Sequence, residues 1–249
     1  MEQNQSTEIA CQQEKGGAPA VTVAITLYNY RDFIRSCLES VKTQTISELD
    51  LIVVDDCSTD RGIETAQEWL RENGSRFNRY LVVRHAANQG LSTARNSCFA
   101  RARTEYVFVL DADNLLYPRC LERLTDALNR SQASFAYCYL EKFGGVRALQ
   151  NLKPWEPDKL CQGNTIDAMV LLRKSMWEAV GGYSTDMRLG WEDFELWFKI
   201  AKAQGWGILV PEILGRYRVH SASMLGTVTN PNAAKIWTHL RSKHPEFFT

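Results

Sequence analysis

The stretch Tyr106-Val-Phe-Val-Leu-Asp-Ala-Asp-Asn-Leu115 predicts the architecture of this chain more directly than any other. Its first five residues are apolar, and the apolar run ends at two carboxylates, Asp111 and Asp113. A short unbroken apolar run is typical of a strand in a parallel sheet that helices cover on both faces. Ligands of open α/β sheets bind beyond the carboxyl ends of the strands. We therefore expect a central strand with an acidic site at its end.

The two carboxylates of this stretch suggest a metal site. Carboxylates held close together repel each other unless a cation lies nearby. Oxygen ligands suit Mg²⁺ or Mn²⁺, which commonly bridge a protein carboxylate to substrate phosphates. The motif thus indicates a site for a divalent metal and a diphosphate. A solvated Asp-Ala-Asp-Asn turn is the alternative that this motif alone leaves open, since Asp and Asn are good turn formers.

The composition limits the class of protein. The 249 residues are 45% hydrophobic and 23% charged, which suffices for one large globular domain. With 29 basic and 29 acidic residues the net charge is zero, so nucleic acid is not an expected partner. The seven cysteines include no Cys-x-x-Cys pair, which predicts free thiols in a reducing compartment.

Targeting signals and membrane spans are not expected. No apolar run approaches the roughly 18 residues of a membrane-spanning helix, and the first residues lack a basic-plus-apolar signal. The sequence therefore predicts a cytoplasmic protein, with peripheral attachment to a membrane left open.

Strand and helix patterns alternate along the chain, which predicts a doubly wound, mostly parallel sheet flanked by helices. Residues 1–18 are polar and are expected to be a disordered lead-in. The predicted strands are 21–27, 49–54, 80–84, 106–110, 134–140, 208–210 and 213–217. Helices are predicted at 33–43, 168–180 and 193–202. A further helix is expected to be capped by Ser58 or Thr59 and to stop at Asn73-Gly74. Three more are expected to begin at Ser92, to begin at Pro118 and to contain Trp237. Residues 144–163 lack periodicity, as functional loops often do.

Acidic or polar residues follow each of the first four strands. These clusters are Tyr28-Asn29, Asp55-Asp56, Asn88 to Gly90 and Asp111 to Asp113. Because the carboxyl ends of parallel strands share one edge, we expect the clusters to lie together. There Asp56 could accept hydrogen bonds from a base or ribose, and Tyr28 could stack on a base. Capping of the next helix is the alternative for Asp55 and Asp56.

Two further motifs lie in the second half of the chain. Gly190-Trp-Glu-Asp193 places two acids at a predicted helix start, and a simple N-cap would need only one of them. We therefore interpret this motif as part of an active site. Tyr217-Arg-Val-His220 places an imidazole after a strand, where it would supply a further ligand beside Asp113.

In combination, these motifs resemble those of inverting family 2 glycosyltransferases with the GT-A fold. The resemblance runs from about Val21 to His220, with the motifs in order. The matching stretches are Thr26-Leu-Tyr-Asn29, Ser40-Val-Lys-Thr-Gln-Thr45, Val53-Val-Asp-Asp-Cys-Ser-Thr-Asp60, Asn88-Gln-Gly-Leu-Ser-Thr-Ala-Arg-Asn96, Leu110-Asp-Ala-Asp-Asn114, Gly181-Gly-Tyr183, Trp191-Glu-Asp193 and Tyr217-Arg-Val-His220. Asn114 departs from the family pattern, which often has a further Asp there, but it leaves the metal ligand Asp113 in place.

The resemblance implies a role for each matching residue. The nucleotide-sugar site would comprise Thr26, Tyr28, Asn29, Asp56, Asn88, Gly90, Arg95, Asp111 and Ala112. Within it, Tyr28 and Asp56 would hold the base, Thr26 would lie beside the base and Asp111 on the ribose side. Asp113 would bind the divalent metal on the donor diphosphate, joined by His220. Asp193 would be the catalytic base, with Glu192 beside it and Trp191 on the acceptor side.

The implied function is inverting transfer of a sugar from a UDP- or dTDP-linked donor to an acceptor hydroxyl. The GT-A domain would span residues 19–220, with a nucleotide-sugar half at about 21–115, an acceptor half at about 116–220 and a C-terminal extension at 221–249. The acceptor would be a glycan, a lipid-linked molecule or a protein.

Three alternatives belong to other classes. A catalytically silent nucleotide-sugar-binding module would use the same motifs. A haloacid-dehalogenase-like phosphohydrolase would use Asp111 as its nucleophile, although that motif belongs on a first strand. A dinucleotide-dependent oxidoreductase fits less well, because Gly-x-Gly-x-x-Gly is absent after the first strand.

Overall fold

A ten-stranded mixed sheet organises the protein, whose computed structural model describes residues 7–150 and 153–248. The strands are β1 (Thr7–Glu14), β2 (Val21–Leu27), β3 (Asp50–Asp55), β4 (Arg79–His85), β5 (Tyr106–Asp111), β6 (Leu115–Leu116), β7 (Phe135–Gly144), β8 (Ala148–Leu149), β9 (Leu171–Arg173) and β10 (Gly207–Val219). The helices are α1 (Arg31–Lys42), α2 (Gly62–Asn73), α3 (Leu91–Arg101), α4 (Cys120–Asn129), α5 (Lys174–Ala179), α6 (Glu192–Lys202) and α7 (Ala233–Lys243). The strand order is β1-β4-β3-β2-β5-β9-β7-β10-β6, and β8 pairs with β7.

Four parallel strands, β4-β3-β2-β5, form the centre of the sheet. Every residue of β2 and β3 is buried, as expected for parallel strands between layers of helices. Helix α3 packs against β2 and β3, and α1 packs against α2 while contributing Ile34 and Leu38 to the same core. The predicted α/β architecture with a mostly parallel sheet is confirmed.

Strand β9 corrects one prediction. The apolar run 168–180 was expected to be a helix, but Leu171 to Arg173 pair antiparallel with both β5 and β7, and the helix begins only at Lys174. A short apolar run fits a buried strand as well as a buried helix, so periodicity could not separate them. As a result β9 joins the β4-β3-β2-β5 core to the second parallel pair, β7 and β10.

Strand β1 corrects the expected disordered lead-in. Residues 7–14 pair antiparallel with β4, from Thr7 opposite His85 to Glu14 opposite Arg79. Most β1 side chains are exposed, so backbone hydrogen bonds to the open edge of β4 stabilise the strand without an apolar pattern in its sequence. Residues 15–18 lie in neither a strand nor a helix, and residues 1–6 lie outside the described residues.

Several element boundaries also differ from prediction. Helix α2 begins at Gly62, and neither Ser58 nor Thr59 caps it. Helix α4 begins at Cys120 rather than at Pro118. Two short strands were expected at 208–210 and 213–217, but both belong to one strand, β10. The predicted break between them coincides with register shifts between Val210 and Gly215. The aperiodic stretch 144–163 contains β8 and a 3-10 turn at Pro157–Gln162.

The C-terminal part of the chain carries the second group of motif residues to the sheet edge. Strand β10 runs parallel to β7 from the Gly207–Phe135 pair to the Val219–Gly144 pair, which leaves His220 at the end of the strand. Beyond it, α7 buries Ile236 and Leu240 against the core. All seven cysteines are free thiols, as predicted. None of the helices in the described ranges has the length and apolar character needed to cross a membrane.

We predict that Gly207→Ala destabilises the fold by about 1–3 kcal/mol, because overpacking a filled core costs that much. A Cβ at Gly207 would collide with the ring of Phe135, the residue opposite it in β7. Gly226→Ala is the matched control, since a Cβ there meets only Ser223 Oγ at 3.5 Å. Urea denaturation measures both. A Gly207→Ala variant as stable as the control would contradict the described packing of β7 against β10.

Candidate active site

The four polar clusters do meet at the carboxyl edge of the parallel strands, as predicted. Backbone bonds join them: the Asp56 amide donates to the Leu27 carbonyl at 2.9 Å, and the Ala112 amide donates to the Thr26 carbonyl at 3.2 Å. The Thr26 hydroxyl also donates to Asp111 Oδ1 at 3.1 Å. Strand ends that are far apart in sequence thus form one polar surface.

Asp56 lies within this edge but is 2% exposed and already heavily bonded. Its carboxylate lies 2.7 Å from His85 Nδ1 and accepts hydrogen bonds from the Gln89 and Gly90 amides, both at 2.8 Å. The Asn88 side chain donates to the Asp56 carbonyl at 3.4 Å. The structure therefore gives Asp56 the role of holding the 88–90 turn, and its contact with a base stays a prediction. The capping alternative for this residue is wrong.

Tyr28 and Asn29 begin the loop after β2. The Tyr28 side chain is 46% exposed, so its ring face is open to a stacking partner. Asn29 adopts a left-handed backbone (φ 56°), and its side-chain oxygen accepts a hydrogen bond from the Thr59 amide at 2.8 Å. Its own amide donates to Ser58 Oγ at 3.0 Å. The loops after β2 and β3 are thus fixed to each other, which leaves the Tyr28 ring at their surface.

Asp55 is buried and acts locally. Its carboxylate accepts hydrogen bonds from the Ser58 amide at 3.2 and 3.3 Å and lies 3.5 Å from Arg84 Nε. Burial raises the pKa of Asp55 above its ordinary value, against the opposing effect of the Ser58 hydrogen bonds. Asp55 therefore stabilises the turn after β3 and does not cap α2.

Arg95 connects the two halves of the site. Its guanidinium is buried, bonds the Glu192 carboxylate and lies 3.0 Å from Asp111 Oδ1. Burial alone would lower the pKa of Arg95, but the charges of Asp111 and Glu192 outweigh it and raise the pKa well above its ordinary value. One fixed positive charge is thus shared between a carboxylate at the end of β5 and another at the start of α6.

Asp113 and His220 converge from β5 and β10. Asp113 Oδ2 lies 3.0 Å from His220 Nε2, and the carboxylate is 7% exposed. Burial and then the neighbouring charge of Asp111 raise the pKa of Asp113 to about 6, although His220 opposes the shift. Arg218 ties the two segments together, because its amide donates to Asn114 Oδ1 at 2.9 Å and its Nε to the Asp113 carbonyl at 2.8 Å.

The protein offers two converging side chains at this point rather than a complete metal cage. Across residues 7–150 and 153–248, no group of three or more His, Cys, Asp or Glu side chains is arranged to hold a metal ion. The rings of Tyr30 and Phe33 lie 5.7 and 5.1 Å from the His220 ring and fix its orientation. A carboxylate and an imidazole fit an ion such as Mn²⁺ that takes its other ligands from phosphate and water.

Glu192 and Asp193 begin α6 and point to different partners. Glu192 is 4% exposed and bonded to Arg95. Asp193 is partly exposed, and its Oδ2 accepts a hydrogen bond from Asn164 Nδ2 at 3.0 Å. Burial and then the charge of Glu192 raise the pKa of Asp193 to about 7, against the charge of Arg95. Of these two carboxylates, Glu192 is therefore paired with Arg95 and Asp193 with Asn164.

The sequence motifs did not point to three further residues of this site: Asn164, Asp167 and Arg218. Asp167 lies on the segment that runs antiparallel to β5 past its acidic end, and it accepts hydrogen bonds from Met169 N at 3.0 Å and Gln150 Nε2 at 2.9 Å. Nothing local in the sequence marks Asp167 or Asn164. Arg218 stands inside the Tyr-Arg-Val-His motif and could have been singled out there.

Several carboxylates lie around Tyr217 of β10, in a region that we call the cleft. Burial and then the charges of four carboxylates raise the pKa of the Tyr217 phenol far above its ordinary value. The four are Asp167, Asp111, Asp113 and Asp193. The Arg95 bridge from Asp111 to Glu192 and the contact of Asp113 with His220 also place the end of β5, the start of α6 and the end of β10 next to one another.

The fold and this edge define the class: an α/β protein whose ligand site lies at the carboxyl ends of parallel strands. The chain belongs to glycosyl transferase family 2, whose family model matches residues 22–190. The match ends just before Trp191, and the roles of the individual site residues, inside and beyond the matched stretch, remain predictions. The alternative of a haloacid-dehalogenase-like phosphohydrolase is not supported. Its nucleophile would be Asp111, which lies on the fifth strand and is held by Arg95 and Thr26.

Curated relatives and solved structures agree with the family. EpsJ of Bacillus subtilis, named an uncharacterized glycosyltransferase, is 32% identical over 120 residues, which cover 48% of this chain and 33% of EpsJ. The chain spans about a third of the length of the first curated relatives that it matches. TarS 1-349 of S. aureus, solved in complex with UDP, has a TM-score of 0.67 and 18% identity over 92% of this chain and 70% of that one. The mannosyltransferase PcManGT of Pyrobaculum calidifontis, solved with GDP-Man and Mn²⁺, has a TM-score of 0.67 and 20% identity over 97% of this chain and 65% of that one.

We predict that Arg95→Ala lowers the free energy of unfolding by about 3–5 kcal/mol, because it leaves Glu192 and Asp111 without their buried cation. Arg95→Lys keeps the charge and should lose less. Arg123→Ala is the matched control, since it breaks the partly exposed ion pair with Glu212 and should change stability by about 1 kcal/mol or less. Equal losses for Arg95→Ala and Arg123→Ala in urea denaturation would show that the buried bridge is not needed for folding.

Proposed function

We propose that this protein transfers a sugar from a nucleoside-diphosphate donor to an acceptor hydroxyl, with inversion at the anomeric carbon. One observation carries the proposal: Arg95 bridges Asp111 to Glu192, which brings Asp193 near the strand end that carries the Asp113–His220 pair. A base and an anchor for the leaving diphosphate are the two groups that such a displacement needs. Membership of glycosyl transferase family 2 supports the reaction class.

The donor is proposed to lie along the edge formed by the loops after β2 to β5. TarS has been solved with UDP and with UDP-GlcNAc, and PcManGT with GDP-Man, which supports a nucleotide sugar here. The exposed ring of Tyr28 would stack on the base. Thr26 would lie beside the base and Asp111 on the ribose side, and Gly90 (φ 89°) would let the backbone of its turn approach the nucleotide closely. UDP or dTDP is the proposed carrier.

Asp113 and His220 are proposed to hold a divalent cation on the donor diphosphate. Two ligands of this kind fit Mn²⁺ or Mg²⁺, and the complex of PcManGT with Mn²⁺ supports the choice. Such an ion, when bound, supplies Lewis-acid stabilisation of the negative charge on the leaving group. Arg218, tied to the Asp113 carbonyl, keeps the loop of Asp113 in register with His220.

Asp193 is proposed to take the proton from the acceptor hydroxyl as that hydroxyl attacks the anomeric carbon. Asn164 Nδ2 bonds Oδ2, and Oδ1 is the proposed acceptor-facing oxygen. A pKa of about 7 suits this task, because the carboxylate is then basic enough to accept the proton and still ionised in a large fraction of molecules. Glu192 is held by Arg95 and contributes the charge that tunes Asp193.

The silent-module alternative is less favoured because the base and the metal-binding pair are both intact. It predicts nucleotide binding without turnover, so the experiments below separate the two functions. The acceptor side is proposed to comprise Trp191 and the 144–163 segment. Assays with a panel of glycans, lipid-linked molecules and proteins would identify the acceptor.

We expect UDP to bind tightly only with Mn²⁺ or Mg²⁺, and EDTA to abolish the binding. Asp113→Asn should weaken metal-supported UDP binding by at least about tenfold, as changes around a metal site typically do. Asp186→Asn is the matched control, since Asp186 makes the same 3.0 Å contact with a histidine, His239, on the surface. Isothermal titration calorimetry measures both. Equal UDP affinity in EDTA would reject the metal site, and no binding of any nucleoside diphosphate with Mn²⁺ would reject the donor.

We expect Asp193→Asn to lower kcat by at least about 10²-fold while UDP affinity stays within twofold, because the change removes only a general base. For the wild type, kcat should rise with pH through about 7 as Asp193 loses its proton. Glu192→Gln should lower the free energy of unfolding, since it unpairs Arg95, and should lower kcat less than Asp193→Asn does. The assay follows release of nucleoside diphosphate from nucleotide sugars with water or an added acceptor. Wild-type turnover by Asp193→Asn would rule out this base.

A further inference from the structure

The residue that precedes the proposed base has a strained backbone. Trp191 adopts a left-handed conformation (φ 59°, ψ 28°) that bulky residues rarely enter, and it directly precedes Glu192 and Asp193. Such a conformation costs on the order of 1–3 kcal/mol and persists only where surrounding contacts over-determine it. The contacts that hold Trp191 therefore also set the direction in which α6 and its first carboxylates start.

Those contacts come from the C-terminal segment 225–248, which lies outside the stretch matched by the family model. The Trp191 ring packs edge-to-face on Trp237 of α7, with centroids 5.5 Å apart, and Trp237 packs in the same way on Phe194 at 5.5 Å. On the other side, Gly190 (φ 105°) lies so close to Thr229 that a Cβ would collide with the threonine side chain. Trp191 is thus clamped between α6 and the segment 225–248.

The same segment is anchored further along α6 by charged and aromatic contacts. His244 Nε2 lies 3.0 Å from the buried Glu195 carboxylate, and the His244 ring stacks on Phe198 at 5.2 Å. Phe247 also packs on Phe198, with centroids 5.1 Å apart. These anchors hold the end of the segment to the body of α6. The contact with the Trp191 ring comes instead from Trp237 of α7.

We infer that Trp237 is a positioning residue for Asp193, acting through Trp191. The inference rests on the proposed role of Asp193 as general base. Loss of the Trp237 ring would let Trp191 relax toward an ordinary backbone conformation and turn the first residues of α6. The acceptor-facing carboxylate would move, while the donor edge at β2 to β5 would keep its own contacts. Misplacement of a reacting group by about 1 Å can cost about 10²-fold in rate.

The test compares Trp237→Ala with Phe247→Ala in the full chain. Both variants remove a ring that packs the segment on α6, but only the first removes the contact with Trp191. We expect both to lower the unfolding temperature, and only Trp237→Ala to lower kcat, by at least about tenfold, with UDP affinity within twofold of wild type. Trp237→Phe keeps an edge-to-face partner for Trp191 and should restore most of the lost kcat.

A pH profile separates positioning from general destabilisation. Burial is the main cause of the raised pKa of Asp193, so a displaced Asp193 gains water and its pKa falls. The rising limb of the kcat profile of Trp237→Ala should therefore shift to lower pH, whereas that of Phe247→Ala should not.

Three results would overturn the inference: wild-type kcat in Trp237→Ala, equal kcat losses in Trp237→Ala and Phe247→Ala, or no recovery in Trp237→Phe. The Asp193→Asn variant distinguishes these failures from failure of the proposed function. If Asp193→Asn keeps turnover, the base assignment itself is wrong; if it loses turnover while Trp237→Ala does not, only the positioning role is wrong.

Discussion

The buried guanidinium of Arg95 is the interaction on which the site depends. It joins Asp111 at the end of β5 to Glu192 at the start of α6, so it holds the two sides of the cleft together and offsets part of their negative charge. A buried ion pair is costly to desolvate and contributes little net stability, but removal of one partner leaves an unpaired charge in the protein interior. The Arg95 contacts therefore fix the spacing between the proposed donor edge and the proposed base. Loss of one partner removes this constraint and leaves an unpaired charge.

The site divides its acidic residues between bonded and available groups. Asp55, Asp56 and Glu192 are buried and bonded to protein groups. The first two order the loops around them, and Glu192 orders the guanidinium of Arg95. Asp113 and Asp193 carry raised pKa values, near 6 and 7, and each retains an oxygen that faces the cleft in the proposed mechanism. Motif positions alone do not reveal this division, because neighbouring acids such as Glu192 and Asp193 have opposite surroundings.

Much of the fold could be predicted because β2, β3 and β5 are apolar runs followed by polar turns, and such patterns depend only on local sequence. Strand β1 was missed because its stability comes from backbone pairing with β4, which leaves no trace in its polar side chains. Strand β9 was missed because it is three residues long and continues the apolar run that begins at Ala168, which fits a strand as well as a helix. These errors arise where tertiary pairing overrides local preference.

The site was predictable in its location but not in its bonding. The acidic edge follows from strand ends in a parallel sheet, and the family resemblance named Arg95 without its partners. Those partners lie 16 and 97 residues away, so no local pattern could identify the bridge. Asp167 left no signal, because only the path of the chain past β5 brings it to the cleft. Metal binding, the base and the donor remain predictions that the geometry supports.

The distances along the chain between bonded residues have a consequence for folding. The bonds that arrange the turn around Asp56 close loops of 29 to 34 residues, whereas those that bring Asp113 to His220 and Arg95 to Glu192 close loops of 107 and 97 residues. Closing a longer loop costs more chain entropy, and non-local contacts form more slowly. We therefore expect the loops of the proposed nucleotide site to become ordered before the proposed catalytic centre. A partly folded chain could then bind nucleotide without turning it over, so nucleotide binding alone does not report complete folding.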